Sequence, residues 1–420
     1  MYQLENVLRP YAWGSTTAIS ALLGTTASGG PEAELWIGAH PGSPSIASRP
    51  GASPLPLDAL IAEDPEHFLG AASVAEFGPR LPFLGKLLAA DKPLSLQVHP
   101  SLEQSREGFA RENAAGVAQD AAERNYRDDN HKPEMIFALT PFRALCGFRP
   151  AAESRAIFEH LAELVEATGA DTSVLRNVIA ELSGPDESEA LRGAFSALIS
   201  GGDAVAEAVA AAGAAVDAAD FGAAGSLDPH ATTLTAMLGI GKEFPGDPGV
   251  LISLMLNLVS LAPGEAMYLP AGNIHAYIKG LGVEVMASSD NVLRGGLTPK
   301  HIDIPELMKT VDFAPIGVPR VEAATSEFGQ ELYAPPFREF QLQRIELAPG
   351  AEPVPLAQSG PAVVVVVAGA MLLDSPKSEL RLERGGSAFV PAAENPVMVH
   401  AVSGASASSV AFAITTSLES

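Results

Sequence analysis

Gln97 and His99 stand two positions apart in the segment PLSLQVHP (93–100). On a strand, alternate residues share a face, so an amide oxygen and an imidazole could reach one ion. Pro93 and Pro100 bracket the segment and argue against a helix there. A second segment, YRDDNHKPEM (126–135), offers His131, Lys132 and Glu134. Its Pro133 biases Lys132 toward an extended or turn geometry, which presents side chains rather than burying them. A third histidine, His275, follows a Pro-Ala-Gly-Asn turn. Taken singly, these are a polar pair on a solvated face, a charged turn and a structural histidine. Taken together, Gln97, His99, Glu134 and His275 supply an amide oxygen, two imidazoles and a carboxylate. That mixed nitrogen and oxygen set suits a divalent metal such as zinc, with room left for a substrate.

His275 also opens the run HAYIKGLGVEVMASSDNVLRGGLTPK (275–300), which carries Tyr277, Glu284, Asp290, Arg294 and Lys300. The run is too polar and too rich in glycine for a plain core element. It reads as a wall of strands and turns that points chemistry at a ligand. Tyr277, two residues after His275, can share its face.

The surrounding elements must position these groups. Residues 1–150 alternate short apolar runs with Gly/Pro breaks and read as strands and turns, with a short helix from Ser101 to Asn113 capped by Ser101. From 151 to 225 the period changes. Ile157, Leu161, Leu164 and Val165, then Val174, Val178, Ile179 and Leu182, then Leu191, Phe195, Leu198 and Ile199 fall at helical spacing. The alanine-rich Ala204–Ala219 stretch continues the helices. Gly222–Pro248 reads as a return connection. LISLMLNLVSLAPGEAMYLPAG (251–272) then reads as a fully buried strand, a turn and a second strand.

PAVVVVVAGAMLL (361–373) is a strand pair hinged at Gly369. RGGSAFVPAAENP (384–396) parallels PGEAMYLPAGNIH (263–275), a grammar of small jelly rolls, but Pro396 stands where the first copy has His275. The C-terminal copy is therefore expected to be structural. The fold class expected is mainly β with a helical insertion. Residues 1–150 and 245–310 form one unit, 151–244 the inserted helical domain, and 311–420 a C-terminal unit without metal.

With 420 residues, 47% of them hydrophobic and 18% charged, the chain is an ordinary globular sequence. A net charge of −24 argues against nucleic acid and anionic membranes as partners, though a local cationic pocket could still take a small anion. The single Cys146 cannot form an internal disulfide and reads as inert core, which fits a reducing cytoplasmic setting. The N-terminus lacks the regions of a signal peptide, and no apolar run reaches the length of about 18 residues that spans a bilayer.

YAWGS (11–15), AELWIGAHP (33–41), PLSLQVHP (93–100), GFARENAAG (108–116), YRDDNHKPEM (126–135), ALCGFRP (144–150) and the run 275–300 occur in this order. In these segments the chain resembles the type I mannose-6-phosphate isomerases. The visible departure is Gly295, where the family usually has alanine. The resemblance implies two cupin-type jelly rolls plus a small α-helical domain inserted in the first. It implies one Zn2+ per chain on Gln97, His99, Glu134 and His275. It makes Arg294 an active-site residue needed for turnover, with Lys132, Glu284, Asp290 and Lys300 at other polar positions of the cleft.

The implied reaction interconverts mannose 6-phosphate and fructose 6-phosphate through a cis-enediol, within mannose metabolism and the supply of GDP-mannose. Arg294 suits either an oxyanion or a phosphate. Lys86, Ser95 and Lys300 are the candidates for the phosphate end, and Tyr277 for a further substrate contact. The base lies among Lys132, Glu284 and Asp290, with an acidic residue or a metal-bound water relay favoured. Two other readings compete: an iron-dependent cupin oxygenase and a non-catalytic sugar-binding cupin. The separated Gln97 and the Arg294/Lys300 pair speak against the first, and the intact ligand set speaks against the second. A monomer with a small phosphosugar partner is expected.

Overall fold

The computed structural model describes residues 1–49, 51–219, 221, 228–402 and 407–418. They build three antiparallel sheets of eleven, nine and four strands, together with helices. The segment FLGKLLAA forms the strand Phe83–Ala90, buried along its whole length. It lies between the strands Glu34–Gly38 and His275–Ala287 of the eleven-stranded sheet. Phe83, Leu87 and Ala89 face outward with Phe137, Val283 and Val285. There they pack against Val363, Val365, Phe389 and Phe412 of the nine-stranded sheet. Gly85 lies on the same outward face, where a Cβ would stand 2.3 Å from Ile414 Cδ1, so the sheets approach closely. Leu84, Lys86 and Leu88 point the other way, toward the chemistry.

The valine run forms the strand Ala362–Ala368 and is buried on both faces. Val363 and Val365 join the core just described. Val364 and Val366 join Met371, Leu373 and Val399 beneath the four-stranded sheet. Gly369, at φ +67°, carries the chain from one sheet to the other. The N-terminal strand Tyr2–Glu5 pairs with Ser387–Val390, Tyr2 opposite Phe389, so the first residues complete a C-terminal sheet. The two likened segments both form strands, Ala266–Leu269 and Ser387–Val390, each ended by a proline.

The helices Ala151–Ala167, Ser173–Glu181, Glu187–Ile199 and Gly202–Ala219 follow the expected periodicity. Ile157, Leu161, Val165, Val178, Leu182, Leu191, Phe195 and Leu198 form their shared core. That core also takes in Leu96, Val98, Ile274, Leu293 and Leu297. The helices therefore back the strands that carry Gln97, His275 and Arg294. The short helix Leu102–Ala114 starts at a capping box in which Ser101 Oγ accepts the Gln104 amide at 3.2 Å and Gln104 Oε1 accepts the Ser101 amide at 2.8 Å.

Two expected elements differ. Residues 222–227 of the return connection lie outside the described residues, and Ala231–Glu243 is a helix that buries Leu234, Met237 and Ile240. Glycines at 239 and 241 disguise its period. In LISLM the chain is helical, Gly249–Ile252 followed by a 3-10 turn Ser253–Met255, and the strand begins at Leu256. A short apolar run buried on all sides has no period to separate strand from helix. The strand Leu256–Leu261 is only partly buried, with Ser260 exposed. PLSLQVHP is extended, but only Gln97–Val98 pair as strand. Among the described residues, no single helix is long and apolar enough to cross a membrane.

Candidate functional site

Strand register assembles the site. Gln97 lies opposite both His275 and Arg294, so the three share one face. The strand His275–Ala287 shifts register between Tyr277 and Lys279. Gly280 there has φ +136°, and a Cβ on it would stand 2.6 Å from Phe142 Cδ2. That bend lets one strand carry His275 at one end and Glu284 at the other. Glu134 opens the strand Glu134–Ala138, opposite Leu269 and Met286.

Glu134 Oε1 lies 3.3 Å from His99 Nε2, and Oε2 lies 3.4 Å from His275 Nε2. On their far sides, His99 Nδ1 and His275 Nδ1 sit 2.8 and 3.0 Å from the carbonyl oxygens of Asn291 and Asn273. A carbonyl only accepts, so each Nδ1 carries the proton. In the neutral rings each Nε2 then aims a lone pair at a carboxylate oxygen, an arrangement that a cation between them would satisfy. His99 Nε2 is buried without a hydrogen-bond partner. The ligand atoms of His99, Glu134 and His275 all lie within 4.8 Å of one another. Carbonyls behind the rings are the outer contacts that orient metal-binding imidazoles.

Burial pushes the His99 imidazole down to about 4, leaving it neutral. Burial raises the Glu134 carboxyl, but Lys132 and His99 outweigh it and hold it well below the usual carboxylate range. Lys132 Nζ is 3.2 Å from Glu134 Oε1. These are the protonation states that a metal requires. Gln97 donates its amide to Ser95 Oγ at 3.4 Å, which leaves Oε1 free as a further ligand. His131 turns away, its Nε2 2.5 Å from Glu339 Oε1. The residues present therefore fit a divalent metal.

The other candidates divide. Lys86 lies 2.8 Å from Glu284 Oε2 and 3.5 Å from Glu34 Oε1, over the ring of Trp36. Burial lowers its pKa, but Glu284 and Glu34 outweigh burial and raise it. Its charge, expected at a phosphate, is already matched. The Tyr277 hydroxyl is buried without a hydrogen-bond partner, a donor left for a ligand oxygen. Arg294 is partly buried, Lys300 exposed, and neither pairs with a carboxylate among the described residues. Burial, then the charge of Arg127, lowers Arg294; burial, then Arg294 and Arg127, lowers Lys300. These cations, without a carboxylate partner among the described residues, form a local positive patch in a chain of net charge −24. Asp290 stands apart at the rim, its side chain 48% exposed and 3.4 Å from His40 Nε2. It lines a cavity of about 500 Å³ with His40, Arg80, Arg127 and Asp128, and none of the three converging ligands lines that cavity. Trp36 is buried and bonded to Glu34, Cys146 is fully buried, and His301 is exposed.

Sequence reasoning missed the staple formed by Asn291 and Asp128. Asn291 Oδ1 accepts the Arg127 amide at 2.7 Å, and Nδ2 donates to the carbonyls of Asp128 and Asn130, both at 2.8 Å. Asp128 in turn accepts from Ser289 Oγ and the Asp290 amide, both at 2.8 Å. The SSDN and RDDN segments thus lock together behind His99. Their shared Asp-Asn composition was the available signal. Asn291→Ala is expected to loosen this loop and weaken divalent-metal binding about 10- to 100-fold, measured by competition with a chromophoric chelator. Unchanged affinity would show that the loop does not orient His99.

A family model described as phosphomannose isomerase type I, catalytic domain, matches residues 1–151. The mannose-6-phosphate isomerase of Escherichia coli (strain K12) is 40% identical over 402 residues, covering 95% of this chain and 97% of that protein. The Rattus norvegicus mannose-6-phosphate isomerase is 34% identical over 416 residues, with 95% of each covered. Among solved structures, the K86A mutant of phosphomannose isomerase from Salmonella typhimurium superposes with TM-score 0.86 at 36% identity over all of both chains. A zinc-bound mannose 6-phosphate isomerase superposes with TM-score 0.84 at 37% identity over 99% of each chain.

Proposed function

This chain belongs to the type I mannose-6-phosphate isomerase family, and we propose a division of labour among its residues for that reaction. It is an isomerase that interconverts mannose 6-phosphate and fructose 6-phosphate and uses one Zn2+. The observation that carries this is the convergence of buried His99, Glu134 and His275 on one point, with an unpartnered Nε2 aimed into it. His99, Glu134 and His275 hold the metal, and Gln97 Oε1 completes the set. Bound zinc supplies Lewis-acid polarisation of the sugar oxygens.

Arg294 and Lys300 take the phosphate or the developing oxyanion, since no carboxylate claims them and a guanidinium stays charged. Ser95, on the same strand side as Gln97, and Tyr277 donate to substrate oxygens. The proton that moves between C2 and C1, through a cis-enediol, is assigned to Glu284. This carboxylate is 3% exposed and ordered by Lys86 at 2.8 Å, so a positioned acceptor with a compensating cation faces the cleft. Lys132, 3.2 Å from Glu134 Oε1, is assigned to steadying that ligand and the enediolate charge. Asp290 is assigned to the rim, where substrate enters.

The architecture supports a reading as two cupin-type jelly rolls with a helical domain between. Residues 1–150 and 245–310 make the catalytic roll, 151–244 the helical domain and 311–420 the structural roll, to which the first strand is lent. The net charge of −24 supports a protein without nucleic-acid or anionic-membrane partners, the single Cys146 fits a cytoplasmic setting, and a monomer is the assembly proposed. The test is a coupled assay of mannose 6-phosphate isomerisation before and after chelation. Activity should vanish with the metal and return with one equivalent of zinc per chain. Activity in the fully stripped protein, or a second equivalent bound within 311–420, would overturn the assignment.

A further inference from the structure

Asp247 lies outside every role assigned above, on the short connection between the helix Ala231–Glu243 and the helical turn Gly249–Ile252. Its carboxylate is spent on backbone amides. Oδ1 accepts from Gly249 at 2.7 Å and from Leu297 at 2.8 Å, and Oδ2 accepts from Thr298 at 3.1 Å. No cation pairs with it among the described residues. Two of these three amides, those of Leu297 and Thr298, belong to the loop RGGLTPK, which joins Arg294 to Lys300.

That loop is strained. Leu297, at φ +55°, is the only non-glycine residue with positive φ among the described residues, and its side chain is 1% exposed in the helical core. A left-handed leucine is disfavoured and persists only where its surroundings over-determine it. Here the determinants are visible. A Cβ on Gly296 would lie 2.8 Å from Gly249 Cα, and a Cβ on Gly249 would lie 2.8 Å from the Leu297 nitrogen. The two backbones touch, and the Asp247 carboxylate clamps them. Burial, then the charge of Arg127, lowers Arg294 at one end of the loop, burial, then Arg294 and Arg127, lowers Lys300 at the other, and no carboxylate among the described residues holds the two together. Left to electrostatics, they would spread apart.

We propose that Asp247 is a positioning residue that fixes the Gly295–Lys300 loop so that Lys300 is set against the phosphate dianion, while Arg294, held by its strand pairing with Gln97, reaches the reacting oxygens. The inference rests on the reading of the site as a phosphosugar site. Zinc-loaded wild type, Asp247→Ala and Asp247→Asn are compared in two measurements: isomerase kinetics, and calorimetric binding of inorganic phosphate. Asp247→Ala should raise KM for mannose 6-phosphate and weaken phosphate binding in parallel, each on the order of tenfold. Its kcat should fall much less, and its zinc content should stay at one per chain. Asp247→Asn keeps an acceptor for two of the amides and should stay within about threefold of wild type, with a measurable loss of phosphate affinity.

A merely structural role would lower the active fraction, and so kcat, at constant KM. Wild-type KM and phosphate affinity in both variants would overturn the inference while leaving the isomerase reading intact. If Asp247→Ala does not fold, Asp247→Asn decides, since unchanged phosphate binding in it overturns the inference equally. A wild-type protein that binds phosphate but does not isomerise would sink the functional reading, and the phosphate arm would still decide the role of Asp247.

Discussion

Arg294→Ala should yield a folded, zinc-loaded protein whose kcat is lower by about 10²- to 10³-fold, the usual consequence of removing one positioned donor to developing charge. The argument begins with what Arg294 does not do. It makes no ion pair with a described carboxylate, so its removal leaves no protein partner stranded. It stands in a cluster of cations, and burial and Arg127 already disfavour its charge. Removing it relieves repulsion, so the melting temperature should hold or rise slightly. A residue kept at a cost to the folded protein is one whose benefit appears with the ligand. Arg294 shares a face with Gln97 and His275 through strand register, so that benefit falls beside the metal. Arg294→Lys should recover the loss only in part, because the ammonium lacks the planar fork. A kcat for the alanine variant within about threefold of wild type would remove Arg294 from the reaction.

Much of this was legible in the residues because it depends on local pattern. The i, i+2 spacing of Gln97 and His99, the Pro-bracketed segment and the His275 turn carry donor chemistry that no plain core element needs. The helical seams from Ile157 to Ile199 were equally plain, because 3.6-residue periodicity is written in the chain. What stayed hidden depends on contacts between distant segments. The lone pairs of His99 and His275 are aimed by carbonyls of Asn291 and Asn273, and a carbonyl has no residue type to betray it. Lys86 looked free for a phosphate, yet strand register sets it opposite both Trp36 and Glu284, and Glu284 takes its charge. Asp247 looked like a loop residue until the strained Leu297 fifty positions away explained it. The helix Ala231–Glu243 was masked by glycines whose cost tertiary packing absorbs.

Glu134→Gln should have the other large effect, and it separates metal binding from folding. In wild type both carboxylate oxygens face imidazole Nε2 atoms, at 3.3 and 3.4 Å, and Lys132 Nζ stands 3.2 Å from one of them. Glutamine keeps the shape but replaces one oxygen by an NH2 donor. That donor can satisfy the orphaned His99 Nε2 without any metal. The metal-free variant should therefore be at least as stable as metal-free wild type, apart from the lost Lys132 pair. Its zinc affinity should fall by more than about 100-fold, beyond what loss of an outer contact alone produces. Turnover should fall by roughly 10³-fold or more, the several kcal/mol that a Lewis acid contributes.

Thermal unfolding reads the distinction directly. A ligand at about 1,000 times its Kd stabilises a folded protein by about 4 kcal/mol, so wild type should melt higher with zinc than with chelator. In Glu134→Gln the two curves should coincide at micromolar zinc, near or above the curve of the stripped wild type. If the variant instead shows a wild-type shift with zinc, the carboxylate is not a ligand, and the lone pairs of His99 and His275 must be answered by some other group.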